Sequence, residues 1–276
     1  MKNAIVRTVS AVVFAAVMVC AIILLPQLLP AVVIIAIYLM MGEFYGMSMG
    51  NCYRLQQKLF ILSAEILFAT FFCVSQFGIS LKWMLLASLP MLAAMTALLF
   101  DDDREFVFKF PYLFAGLLYI GIPTALLPIV VFRQGEYYGW TLMCFFLIIW
   151  ASDVGAYCLG SALGQKPGSR KLAPSISPKK SWWGVVGGAA FAVGAAILTQ
   201  CIGWFDVPPV HAVVIGLLIC AAGICGDLFE SVWKRYFHIK DSGNVIPGHG
   251  GMLDRFDSSL FAIPAATVYL AMFNLL

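Results

Sequence analysis

Three observations predict an all-α, polytopic integral membrane protein. Of 276 residues, 62% are hydrophobic and only 11% charged, where soluble domains carry roughly a quarter charged residues. The mean hydropathy is +0.94. Nine segments also supply the ~20 largely apolar residues that a membrane crossing needs: near 5–25, 28–49, 59–78, 81–100, 108–132, 139–163, 182–204, 208–230 and 256–275.

Lys2 and Arg7 before the first apolar run resemble a signal peptide. The run continues to about Leu25 without a small-x-small cleavage site, which predicts a retained first span. Pro26 and Pro30 mark a tight turn or kink before the second. Orientation follows from Lys and Arg, which concentrate in cytoplasmic loops. With the N-terminus cytoplasmic, all 17 basic residues except Lys82 and Arg133 fall on the cytoplasmic side, and the C-terminus is outside. Losing or adding one span would scramble this sorting.

The two longest and most basic cytoplasmic connections, about 164–181 and 231–255, lie in the second half. Residues 1–135 are therefore expected to be a supporting transmembrane region and 136–276 a catalytic one. No internal repeat suggests the inverted halves of a transporter. In the seventh span, Gly184, Gly188, Ala192 and Ala196 recur every four residues, a ladder for close helix packing. The net charge of +3 gives no argument for nucleic acid, and three histidines are too few for a histidine-rich metal site. The eight cysteines are scattered, without C-x-x-C or zinc-like spacing, and are expected to pack as small apolar residues.

Polar chemistry concentrates in Ser231–Asp257, SVWKRYFHIKDSGNVIPGHGGMLDRFD, and in two stretches upstream. Asp153 near the end of the sixth span, with Tyr157 one turn on, reads either as an interhelical hydrogen-bonding group or as a ligand to a metal or nucleotide. Asp227, Glu230, Ser231 and Lys234 share one face of the eighth span. A Glu230–Lys234 salt bridge accounts for part of that face and leaves Asp227 unexplained. The amides of the His249-Gly250-Gly251 turn suit an anion, although a glycine pair is a weak signal. Asp254 and Asp257 follow at i, i+3, and carboxylates are the oxygen ligands that magnesium prefers. Lys171, Lys179 and Lys180 suit phosphates or anionic headgroups equally. Carboxylates among Lys and Arg describe phosphoryl or nucleotidyl transfer better than acyl transfer or redox chemistry. Asp101, Asp102 and Glu105 mimic an aspartate-rich diphosphate motif without a second copy, and read as a solvated loop. Glu43 and Glu65 lie in or beside spans two and three and receive no role.

Ser231, Lys234-Arg235, Lys240-Asp241, Pro247, His249-Gly250-Gly251, Asp254-Arg255 and Asp257 together resemble the signature of the phosphatidate cytidylyltransferases, or CDP-diacylglycerol synthases. The resemblance extends upstream to Asp153, Ala156, Tyr157 and Gly160, to Leu172–Pro178, and to Gly226–Ser231. One departure stands out: Lys180-Ser181-Trp182-Trp183-Gly184 carries Trp183 where the family usually has glutamate. What the resemblance implies is a multi-pass membrane enzyme, homodimeric, with its active site facing the cytoplasm. It would join phosphatidate to the CMP part of CTP, releasing pyrophosphate, with magnesium and room for a second cation such as potassium.

In that reading Asp227, Asp254, Lys234, Arg235 and Lys180 are catalytic. Asp153, Tyr157, Ser181, Lys240, His249, Gly250, Gly251 and Arg255 hold the nucleotide. Asp153, Asp227, Asp254 and Asp257 are the metal ligands. Two rivals remain at this stage: a transporter or channel using Asp153, Asp227 and Glu230 as an ion path, and a transferase for another nucleotide or sugar phosphate.

Overall fold

The computed structural model describes residues 2–100, 105–133, 135–248 and 250–276, except for the side chains of residues 2–7. Asp101, Asp102, Arg104 and His249 lie outside the described residues, as do the side chains of Lys2 and Arg7. The chain forms two compact units, Met1–Tyr137 with Phe237–Arg255, and Tyr138–Tyr236 with Phe256–Leu276. Phe237–Arg255 belongs to the first of these units, apart from the rest of the second half of the chain.

The first unit contains α1 (Lys2–Val19), α2 (Leu29–Met49), α3 (Arg54–Phe77), α4 (Ser88–Leu98), α5 (Phe106–Gly116), α6 (Ile122–Ala125) and α7 (Leu127–Val131). The hairpin β1 (Phe132–Arg133) and β2 (Glu136–Tyr137) follows. Prolines set the interruptions. Pro26 opens a 3₁₀ turn after Leu25, and the expected span 108–132 carries Pro111, Pro123 and Pro128 with a π-helical turn at Leu117–Gly121. The core is aromatic: Phe44, Tyr45, Phe60 and Phe68 are fully buried. The Tyr45 hydroxyl donates to Leu113 O at 2.8 Å. Gly116 leaves room for that ring, since a Cβ there would lie 2.6 Å from a ring carbon. Tyr112 meets Phe237 edge-on at 5.8 Å, and Ser10 Oγ donates to Pro247 O at 3.0 Å, which docks the returning loop.

The second unit contains α8 (Trp140–Ala162), the hairpin β3 (Lys171–Ala173) and β4 (Ser177–Ser181), α9 (Trp182–Cys201) and α10 (Pro209–Tyr236). A short turn α11 (Leu253–Phe256) leads back into it, and α12 (Ser259–Met272) completes it. Small residues let the helices touch through backbone. A Cβ on Gly155 would collide with Gly187 O, and one on Gly187 with Gly155 O, so α8 and α9 meet at their main chains. The expected ladder Gly184, Gly188, Ala192 and Ala196 is buried. Gly188 faces Ser152 of α8 and Cys220 of α10. All eight cysteines are free, with Cys144 and Cys220 buried.

Among the described residues, seven helices are long and apolar enough to span a membrane, where the sequence predicts nine. Thr8–Leu24 is a shorter apolar helix. α12 has 14 residues and an internal Pro264, so it rises only about 21 Å against a hydrocarbon core of about 30 Å.

Gly187→Val should therefore destabilise the second unit by about 1–3 kcal/mol through overpacking. Gly194→Ala is the control, because nothing lies within 4 Å of its Cβ position. It should shift stability by no more than about 1 kcal/mol, in the stabilising direction. Unfolding by SDS titration in mixed micelles measures both.

Candidate active site

In the second unit a cavity of about 490 Å³ is walled by α8, α9, α10 and the β3–β4 hairpin, with Ser258 on its wall. Apolar side chains such as Ile149, Leu172, Val185, Ile219 and Ile224 line it, interrupted by Asp153, Tyr157, Lys179, Lys180, Ser181 and Asp227. The hairpin is fixed to the end of α8 by one polar knot. Gln165 Nε2 donates to Lys179 O at 2.8 Å and to Gly160 O at 3.3 Å. Lys171 Nζ donates to Gly164 O at 2.9 Å and Gln165 Oε1 at 2.8 Å, a cation on the turn that follows α8. Lys171 is thus engaged in structure. Ser181 is buried and caps α9, accepting from Gly184 N at 3.2 Å.

Adjacent Lys180 turns the other way and forms an ion pair with Asp227 Oδ2. Asp227 Oδ1 also accepts a long bond from Ser231 Oγ at 3.4 Å. The shared face of α10 therefore divides. Glu230, fully buried, pairs with Lys234 at 2.5 Å one turn on, whereas Asp227 looks to the hairpin. Arg235 is exposed and its Nε donates to Ile176 O at 3.4 Å. Asp257 Oδ1 accepts from Ser258 N at 2.6 Å. Asp153 and Tyr157 are exposed.

The first unit holds the remaining predicted residues. A polar pocket of about 500 Å³ is lined by Lys240, Asp241, Asn244, Ile246, Gly248, Gly250 and Arg255. Lys240 and Arg255 are exposed there. Asp254 points into its own loop: its Oδ2 accepts from Ser242 N at 2.9 Å, Ser242 Oγ at 3.0 Å and Gly251 N at 2.8 Å. Glu43, from α2, accepts from Met252 N, Leu253 N and Ser242 Oγ at 2.8, 2.8 and 2.9 Å. The amides of Gly251, Met252 and Leu253 thus face carboxylates of the protein itself; of the turn expected to suit an anion, Gly251 N already donates to Asp254. Sequence reasoning noticed Glu43 as an acid in an apolar helix and could not find its partner, which lies some two hundred residues away.

Among the described residues no three His, Cys, Asp or Glu side chains converge as a preformed metal cage. Magnesium commonly takes one or two carboxylates and completes its shell with water and substrate phosphates. The Asp257 backbone lies against Gly226, the residue before Asp227, so these two carboxylates belong to adjoining parts of one unit. Asp254 belongs to the other unit and commits an oxygen to its loop.

The model of the cytidylyltransferase family matches residues 5–273. A phosphatidate cytidylyltransferase of Bacillus subtilis (strain 168) is 42% identical over 143 residues, 51% of this chain and 52% of that protein. One of Rickettsia bellii is 40% identical over 159 residues, 55% of this chain and 66% of that protein. One of Brucella suis biovar 1 is 42% identical over 161 residues, 56% and 55% of the two chains. The chain spans between half and two thirds of the length of these relatives.

The two lysine roles separate experimentally. Lys171→Met removes about 1 kcal/mol from the hairpin knot, so amide exchange across 165–180 should rise roughly fivefold. Lys180→Met should leave that exchange unchanged. Hydrogen–deuterium exchange of the full chain in detergent reads both.

Proposed function

Since the chain belongs to the cytidylyltransferase family, we propose that it transfers CMP from CTP to phosphatidate, giving CDP-diacylglycerol and pyrophosphate at a membrane. The observation that carries this reading is the Lys180–Asp227 pair inside a largely apolar cavity. A carboxylate and a cation held together beside apolar walls suit a polyanionic substrate in a lipid setting.

In the proposed reaction a phosphate oxygen of phosphatidate attacks the α-phosphorus of CTP. The new P–O bond forms as the bond between that phosphorus and its bridging oxygen breaks, and pyrophosphate leaves. Phosphatidate is already an anion, so no strong general base is required and catalysis is positioning with charge stabilisation. Magnesium, held by Asp227 and Asp257 with Asp153 nearby, would neutralise polyphosphate oxygens. Lys180 exchanges part of its pairing with Asp227 for a substrate phosphate. Lys234 chiefly balances buried Glu230, and Arg235 steadies the hairpin through Ile176 O. In the first unit, Lys240 and Arg255 offer exposed cations to ligands of the same charge type.

α1, and α12 only together with the residues that flank it, would bring the crossings to nine, and the distribution of Lys and Arg then supports a cytoplasmic N-terminus and site. Homodimerisation belongs to the reading through the family resemblance alone.

Purified protein given phosphatidate, magnesium and each labelled nucleotide in turn should make CDP-lipid from CTP. Asp227→Asn and Lys180→Met should each lower turnover by about 100-fold or more while the protein stays in the membrane. Full activity in either variant removes that residue from the site. Product from another nucleotide, or solute uptake into vesicles without CTP, overturns the assignment.

A further inference from the structure

Glu43 lies within the apolar helix α2, whose flanking Met41, Phe44 and Tyr45 are fully buried. A carboxylate at such a place needs strong donors. It finds three, all on the loop that carries the signature: Ser242 Oγ and the consecutive amides of Met252 and Leu253. The two oxygens divide the work, Oε1 taking Met252 N and Oε2 taking Leu253 N and Ser242 Oγ. Ser242 then links this carboxylate to that of Asp254, which lies 3.0 Å from the same hydroxyl.

The surrounding glycines fit the same arrangement. A Cβ on Gly243 would stand 2.6 Å from Glu43 Oε1, and one on Gly250 would stand 2.7 Å from Asp254 Oδ2. A Cβ on Gly251 would collide with both Glu43 Oε2 and Ser242 Oγ. Gly243 and Gly251 have ordinary negative φ, so there backbone strain does not call for glycine. The space is taken by the carboxylates.

We propose that Glu43 is a positioning residue for the transfer reaction, fixing the turn Gly250–Asp254 and with it the orientation of Asp254 and Arg255. The catalytic part of this rests on the function proposed above, and the structural part does not. The N-terminal unit, expected to be mere support, then supplies one residue on which the signature loop depends.

Because both oxygens accept from N–H donors, glutamine cannot replace glutamate without aiming its own amide N–H₂ at one of them. The test is hydrogen–deuterium exchange across 242–254 with steady-state kinetics, on the full chain in detergent. Glu43→Gln should raise exchange at Met252 and Leu253 about tenfold and lower kcat by a similar factor, with KM for CTP changing less. Glu43→Asp should restore part of both, and Glu65→Gln in α3 should leave exchange at 251–253 unchanged. Gly243→Ala displaces the carboxylate without removing its charge, and should reproduce the local exchange and the loss of kcat even if Glu43→Gln fails to accumulate. Unchanged exchange at 251–253 in both Glu43→Gln and Gly243→Ala overturns the proposal. Raised exchange with unchanged kcat overturns its catalytic part. If the unsubstituted protein makes no CDP-lipid and Glu43→Gln still loosens the loop, the assigned reaction falls and the anchoring role stands.

Discussion

A carboxylate in an apolar helix must be answered, because leaving it alone at membrane depth costs several kcal/mol. Three acids in this protein meet that demand differently, and the differences organise the polar parts of the molecule. Glu230 is answered locally by Lys234, one turn along α10, through its Oε2. Asp227 is answered by Lys180 from the β3–β4 hairpin, and so ties a non-helical segment to α10. Glu43 is answered by two amides and a hydroxyl, and ties a second non-helical segment to α2. The last two attachments hold most of the family's motif residues in place.

Such attachments work only if the helices bearing them are fixed. In the second unit that rigidity comes from backbone approach at Gly155 and Gly187, and from Gly188 between Ser152 and Cys220. Bulkier residues there would push α9 from α8 and carry Ser181, the cap of α9, away from the α8 terminus. Lys180 precedes that cap directly, so its reach to Asp227 depends on packing two or more turns away. The Gln165–Lys171 knot adds the remaining restraint by fixing β4 through Lys179 O.

Hydropathy made the helical class legible, and most spans appear near where the sequence predicts them, because apolar length is a local property. Pro26 ended a helix as expected, whereas α12 is too short to cross unaided, a consequence of where its ends fall that hydropathy windows blur. The motif residues could be listed from spacing, but their roles could not. Lys171 and Lys180 look alike in a basic loop, yet one holds the turn that follows α8 and the other faces Asp227. Gly251 suggested part of an anion cradle because spacing shows which amides are unhindered without showing that Asp254 already accepts from this one. Glu43 was visible as an anomaly only, since a partner some two hundred residues distant leaves no trace in local pattern. Trp183, half-exposed on the first turn of α9, stands where a glutamate is usual, and nothing in the structure explains the exchange.

The apolar walls of the second unit's cavity bear on which acceptor the proposed chemistry selects. An activated α-phosphorus reacts with water as readily as with a lipid phosphate unless water is held back. Ile149, Leu172, Val185, Ile219 and Ile224 give a wall that water wets poorly and an acyl glycerol does not avoid. Lys180 and Asp227 both stay partly exposed to solvent, so their attraction is the modest one of a screened pair, and a phosphate can compete for the lysine. In the proposed reaction the apolar wall then favours a lipid acceptor over water, and no residue is asked to act as a base.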